Sequence, residues 1–372
     1  MTPSAEIETV VIGAGVVGLA CAAALASAGR EVVVLERNGA PARETSSRNS
    51  GVIHAGLYYP ADSLKARSCV EGASLLYARC EALGIPHRRI GKLIVASEAH
   101  EMSRLEEIAQ RGEAAGALGL EWLEPAGVAA REPNVRAIAA LWSPGTGIVD
   151  AHALADSYRA ELESFGGRVV CETSLEALAW TGERWALETR NADGIFRVTA
   201  ERVVNAAGLA SDQVAALAGV DVEAAGWRLH LCKGDYFGLQ ASRGAVVEHL
   251  VYPVPSEGGL GVHATVDLGG RIRFGPDTEY VSAVDYRVRP EKAEGFAEAI
   301  RRYLPSVEAC DLFPEMAGVR PKRQGLGEPF RDFVVEDGEA WGTPAMVHLV
   351  GIESPGLTAA GALARRVVGL CA

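Results

Sequence analysis

The stretch that decides the fold is Ile7-Glu8-Thr9-Val10-Val11-Ile12-Gly13-Ala14-Gly15-Val16-Val17-Gly18, continued by alanine-rich residues 19–28, Gly29 and Val32-Val33-Val34-Leu35-Glu36. A short apolar run of strand length meets three glycines spaced Gly-x-Gly-x-x-Gly. A helical stretch and a second β-branched run follow. The first glycine permits a tight turn, the second lets backbone approach a pyrophosphate, and the third lets the helix pack closely. Free N–H groups at the helix start favour an anion there. Glu36 ends the second strand and can accept hydrogen bonds from a ribose. The layout is that of a dinucleotide-binding βαβ unit, and by itself it does not separate NAD from FAD.

Outward from this unit, 372 residues predict one large or two interleaved domains. The composition is 48% hydrophobic and 23% charged, which excludes a disordered or fibrous chain. Forty-two glycines exceed the average without a three-residue period, so they belong to turns and close backbone approaches. With 36 basic against 48 acidic residues the net charge is −12, which opposes binding to a nucleic-acid backbone. No run approaches the roughly 20 apolar residues of a membrane span, and nothing supports a peripheral membrane contact. No basic region precedes the first strand, so no secretory signal is expected. Cysteines 21, 69, 80, 171, 232, 310 and 371 fit neither a redox pair nor a metal cluster, and predict a reducing cytoplasm.

Helices are predicted over 64–83, 100–117 and 153–164. Short strands follow at 168–172, 175–180, 185–189, 196–199 and 203–204, a meander attached to the first sheet. A second β-rich block spans 227–274, with Gly258-Gly259 and Gly269-Gly270 as hairpin turns, and Pro290 opens a helix to about 303. A strand at 346–350, a turn over 351–356 and a closing helix at 357–370 resemble the first unit. They predict one domain built from separated segments. The fold class is α/β, α+β overall: a discontinuous dinucleotide-binding Rossmann-like domain (1–90, 145–225 and 325–372) and a β-sheet substrate domain (91–144 and 226–324).

The segment Thr45-Ser46-Ser47-Arg48-Asn49-Ser50-Gly51-Val52-Ile53-His54-Ala55-Gly56-Leu57-Tyr58-Tyr59 closely resembles the flavin-facing loop of the D-amino-acid-oxidase-like FAD oxidoreductases, and within them the L-2-hydroxyglutarate oxidase and dehydrogenase branch. Residues 233–237, 251–255 with 261–263, and 351–358 agree in order and spacing. The resemblance implies FAD as cofactor, bound by Gly13, Ala14, Gly15, Val16, Val17, Gly18, Glu36 and Arg37. It adds Ser46, Ser47, Arg48, Ser50, Gly51 and Val52 along the pyrophosphate and isoalloxazine, and Leu175 beside adenine. Ala207 and Gly208 form a second glycine turn. Gly351, Glu353, Ser354, Pro355, Gly356, Leu357 and Thr358 lie at a helix start facing the flavin, where the dipole stabilises negative charge.

For the substrate, Gly318-Val319-Arg320-Pro321 resembles the family's carboxylate-binding arginine pattern, and a guanidinium fork suits a carboxylate. His54 would lie near the flavin and take the hydroxyl proton, with a neighbouring arginine keeping it neutral. His263 is the second candidate for that role. Structural bonding, or covalent attachment of His54 to flavin, are the other readings. Tyr59, Lys233, Tyr252 and Arg273 are expected in the pocket wall. The sequence departs from the hydroxyglutarate branch at 263–267, 275–279 and Pro321-Lys322, all in the half that shapes the pocket. The reading is oxidation of a small carboxylate-bearing 2-hydroxy acid, hydride passing to flavin N5, with oxygen, a quinone or a protein carrier as acceptor. The rivals are amino-acid or secondary-amine oxidation, a non-catalytic FAD-binding protein, and an NAD dehydrogenase.

Overall fold

The computed structural model describes residues 5–255 and 261–372. The glycine-rich opening forms the expected unit: strand Ala5–Ile12, helix Val16–Ser27 and strand Val32–Leu35. Ala5–Ile12 is parallel to Val32–Leu35 on one side and to Gly194–Asn205 on the other. Met346–Val350 pairs in parallel with 203–205, so the C-terminal strand joins the sheet begun by the N-terminus. The eight-stranded sheet also holds Arg168–Val170, Val334–Asp337 and an antiparallel meander.

The strands expected at 196–199 and 203–204 are one strand, Gly194–Asn205. Its first half is antiparallel to Trp185–Asn191 and its second half is buried beside Ala5–Ile12. At Glu201-Arg202 one edge of the strand passes from Trp185–Asn191 to Met346–Val350, while Ala5–Ile12 runs along the other edge from 198 to 205, so the strand does not break.

Four helices, Val16–Ser27, Leu64–Leu83, Ala151–Ser164 and Gly356–Leu370, share an apolar core against this sheet. The second begins where Ser63 accepts the Ala66 N–H and ends at Gly84 in the left-handed region, φ 66°. A Cβ on Gly72 would stand 2.3 Å from the Thr358 carbonyl oxygen. The absence of a side chain there lets Leu64–Leu83 cross close over the start of Gly356–Leu370, fixing where that start points.

A nine-stranded sheet is built from strands within 92–143 and 230–322, with the long strands His230–Leu239 and Leu312–Lys322 antiparallel. Helix Ala293–Arg301 buries Phe296, Ala297 and Ile300 in its core beside Phe237 and Phe274. The Gly269-Gly270 turn forms, Gly270 N–H bonding to the Asp267 carbonyl, whereas the turn expected at 258–259 lies outside the described residues. A small sheet pairs Val52–Ile53 with Gly147–Val149 and leads straight into His54.

Candidate active site

A cleft of about 1450 Å³, counted out to its mouth, runs between the two large sheets. Gly15 to Gly18, residues 45–46 and 48–52, Gly208 and residues 352–357 line one part of it. His54, Tyr58, Tyr59, Tyr236, Tyr252, His263 and Arg320 line the other.

Two helices begin at this cleft. The caps of Val16–Ser27 and Gly356–Leu370, Gly15 and Pro355, supply no side-chain bond, and neither first turn carries an acid. The first N–H of each helix is bonded, Val16 to Ser46 Oγ and Gly356 to the Glu353 carbonyl, yet two positive dipole ends still converge on one cavity, the arrangement an anionic, polar-edged dinucleotide requires. The glycine turn has no room for side chains. A Cβ on Gly18 would lie 2.0 Å from the Gly13 carbonyl oxygen, and Gly13 itself, at φ +101°, abuts the Ala206 backbone. Glu36 braces this turn, accepting the Ala14 N–H at 2.9 Å and the Asn38 N–H at 2.8 Å.

The loop after Thr45 is pinned from several sides. Ser46 Oγ accepts the Val16 N–H, and Asn49 Nδ2 donates to the Thr45 and Ser46 carbonyls. Arg48 lies over the Tyr286 ring at 4.1 Å. The loop crosses Gly318, where a Cβ would stand 2.3 Å from the Arg48 carbonyl oxygen. The glycine of the Gly-x-Arg-Pro pattern thus provides the crossing that brings Arg320 to the same cleft. Thr358 Oγ1 accepts the His54 N–H and donates to the Val52 carbonyl, locking His54 to the C-terminal helix start.

Among the polar wall groups, Arg320 Nη2 donates to the Asp277 carbonyl at 3.1 Å and also meets Cys232 Sγ and Thr278 Oγ1. Nε and Nη1 make no hydrogen bond among the described residues, which leaves donors of the planar fork for a ligand. Burial, with Lys92 and His263 nearby, lowers His54 to about 3, so its imidazole is neutral. The expected arginine neighbour is not the cause; the cation is Lys92. The His263 ring stacks on Tyr252 at 3.6 Å, and Tyr59 donates to the Ser354 carbonyl.

Two expected wall residues lie elsewhere. Alternation along His230–Leu239 turns Gly234 and Tyr236 to the cleft and Lys233 to the opposite face. There Lys233 is buried with Asp235, Asp285 and the Arg287 carbonyl. Arg273 pairs through two nitrogens with Glu315 instead of facing the cleft. Several expected cofactor contacts also fall outside the cleft lining. Leu175 packs in the meander core. Arg37 pairs with Glu44 and, with Ser47, borders an adjoining hollow. Gly13, Ala14, Glu36, Ala207, Gly351 and Thr358 do not line the cleft either. The sequence reading missed Thr45, Asn49, Tyr58 and Tyr236, although the first three lie inside the loop it singled out. It also missed Lys92, and Lys65, which forms a buried pair at 2.9 Å with the expected Glu353.

The family model DAO, FAD dependent oxidoreductase, matches residues 8–370. The chain belongs to this family of FAD-dependent oxidoreductases. The expected branch also recurs among the relatives of this FAD oxidoreductase. The mitochondrial L-2-hydroxyglutarate dehydrogenase of Arabidopsis thaliana is 38% identical, over 97% of this chain and 83% of the relative. The mitochondrial enzyme of that name from Mus musculus is 30% identical, over 96% and 86%. Among solved structures, the FAD-bound, dithionite-reduced L-alpha-glycerophosphate oxidase of Mycoplasma pneumoniae superposes with TM-score 0.88 at 25% identity, over 98% of this chain and 94% of that one. The glycine oxidase of Geobacillus kaustophilus gives TM-score 0.82 at 19% identity, over 99% and 95%, and shares the fold. The cofactor of the oxidoreductase is FAD, and the mixed α/β architecture is the one expected. No helix among the described residues is long and apolar enough to cross a membrane.

Proposed function

We propose that this FAD oxidoreductase oxidises a small carboxylate-bearing 2-hydroxy acid, 2-hydroxyglutarate-like, to the 2-oxo acid. The observation that carries the reading is one cleft lined by Arg320, a neutral His54 and two helix N-termini. FAD, when bound, supplies the two-electron acceptor. Gly15 to Gly18, Ser46, Arg48, Ser50 to Val52 and residues 354–357 would hold it. Residues 1–90, 145–225 and 325–372 are assigned to cofactor binding, and 91–144 and 226–324 to the substrate.

Arg320 receives the substrate carboxylate with its unused guanidinium donors, which orients the hydroxyl carbon. His54 takes the hydroxyl proton, a role an uncharged imidazole can fill and an imidazolium cannot. His263, stacked on Tyr252, is the alternative acceptor. The relatives named L-2-hydroxyglutarate dehydrogenase support a 2-hydroxy acid substrate. Seven free cysteines are compatible with a reducing compartment such as the cytoplasm.

The test is anaerobic mixing of the holoenzyme with panels of 2-hydroxy acids and of amino acids while flavin absorbance is followed. Bleaching by 2-hydroxy acids is expected; bleaching by amines alone overturns the reading. Arg320→Ala is expected to raise KM for the carboxylate substrate by about 100-fold, the cost of losing a charge-assisted pair, with flavin content unchanged. Equal loss of flavin and substrate binding would make Arg320 a structural residue.

A further inference from the structure

Lys92 opens the strand Lys92–Ala96 and is buried to 0% exposure, yet it does not line the cleft. Its Nζ lies 4.8 Å from the ring centroids of both Tyr58 and Tyr252, and those two rings form cleft wall. No carboxylate among the described residues is within ion-pair distance. The titratable groups that act on it or feel it are Cys69 from helix Leu64–Leu83, His54 and Tyr58 from the flavin-facing loop, and Tyr252 from the neighbouring strand. His263, stacked on Tyr252, completes the group. Burying an ammonium costs free energy that two aromatic faces offset only in part. A core position needing only packing would be filled at less cost by methionine or leucine.

We propose that Lys92 is a positioning residue whose charge, held one layer behind the cleft wall, sets how readily His54 accepts a proton. Lys92 touches neither substrate nor cofactor and forms no new bond. Its ammonium opposes an imidazolium at His54, and losing that proton to solvent removes the opposition. Burial lowers Lys92 to about 7, so the change falls within the ordinary working range. The inference rests on the reading of His54 as proton acceptor. It predicts that flavin reduction rises with pH through about 7 because of Lys92, not because of His54, which is already neutral there.

The test uses holoenzyme carrying ¹³C-labelled histidine, with the His54 signal assigned by its loss in His54→Gln. In the wild type His54 stays neutral down to about pH 5, below the usual imidazole range. In Lys92→Met it titrates at higher pH, and in Lys92→Arg, whose charge is fixed, it does not. Anaerobic flavin reduction gives a second readout. Relative to wild type, Lys92→Met is about tenfold faster at pH 6, the scale of removing one like charge from a desolvated site, and its rising limb is gone. Lys92→Arg is slow across the range, so the proposal is still decided if Lys92→Met does not fold. Wild-type His54 titrating near its ordinary value, a His54 titration unmoved in Lys92→Met, or a rising limb retained in Lys92→Arg overturns the proposal. If no 2-hydroxy acid bleaches the flavin, the proposed function fails while the histidine titration still decides the role of Lys92.

Discussion

The buried pair Lys65–Glu353 offers the sharpest test of how the cleft is held. Lys65 Nζ and Glu353 Oε1 are 2.9 Å apart, with side chains only 5% and 9% exposed. Burial alone would raise the Glu353 carboxyl; Lys65, Lys322 and Arg320 outweigh it and hold the carboxyl below the usual range. Lys65→Met keeps an apolar stem but removes the closest cation, whose Nζ also lies over the Phe330 and Phe333 rings. Breaking a buried pair from one side costs about 3–5 kcal/mol, and because Arg320 and Lys322 remain, about 3 kcal/mol is expected. Glu353→Met is expected to lose a similar amount, and the double variant less than the two losses combined, because no buried charge is then left over.

Urea unfolding of the holoenzymes in this four-member cycle measures the coupling, expected at about 2 kcal/mol. The pH dependence carries a sign. A depressed carboxyl contributes stability above its ordinary value of 4.5, and that contribution is lost as pH falls through the folded value. The gap between wild type and Lys65→Met is therefore full at neutral pH and closes in acid. With Lys65 gone, Glu353 competes with substrate for Arg320, so KM is expected to rise with kcat little changed. A loss under about 1 kcal/mol for Lys65→Met, or additivity across the cycle, refutes the reasoning.

Gly18→Ala places a Cβ 2.0 Å from the Gly13 carbonyl oxygen, a backbone contact with no flexible group to yield; the purified variant is expected to lack FAD, and a normal flavin-to-protein absorbance ratio would contradict this. Lys92→Met is expected to be more stable than wild type near pH 6 by a few kcal/mol. The folded Lys92 value is lowered from 10.5 to about 7, so the unfolded chain binds the extra proton between those values and the wild type recovers stability as pH rises. Thermal melts at pH 6 and 10 check this, and a gap that widens with pH would have the wrong sign. Arg273→Ala is expected to cost about 1–2 kcal/mol by leaving Glu315 unpaired, with KM within about twofold because Arg273 lies off the cleft; a tenfold fall in kcat/KM would place it in the wall after all.

Local chemistry in the sequence determined the glycine turn, because Gly13 and Gly18 answer to backbone contacts within a few residues or across one strand. It also determined the helix 64–83, bounded by a serine cap and a left-handed glycine. The flavin-facing loop and Gly318-x-Arg320-Pro321 were legible through resemblance, since neither segment contains the reason for its shape: each needs the other where Arg48 crosses Gly318. Tertiary structure alone decided which face of each strand meets the cleft. Side chains alternate, so one residue of parity separates Lys233 in a buried ion cluster from Gly234 in the wall. It also decided the charges that tune the site. Lys92 starts an otherwise apolar strand, Lys65 lies in a helix, and nothing adjacent in the chain brings Tyr58, Tyr252 or Glu353 to them. Those partners lie 34 to 288 residues away, and the desolvation that shifts Lys92 and His54 exists only once the sheets and helices have closed around them.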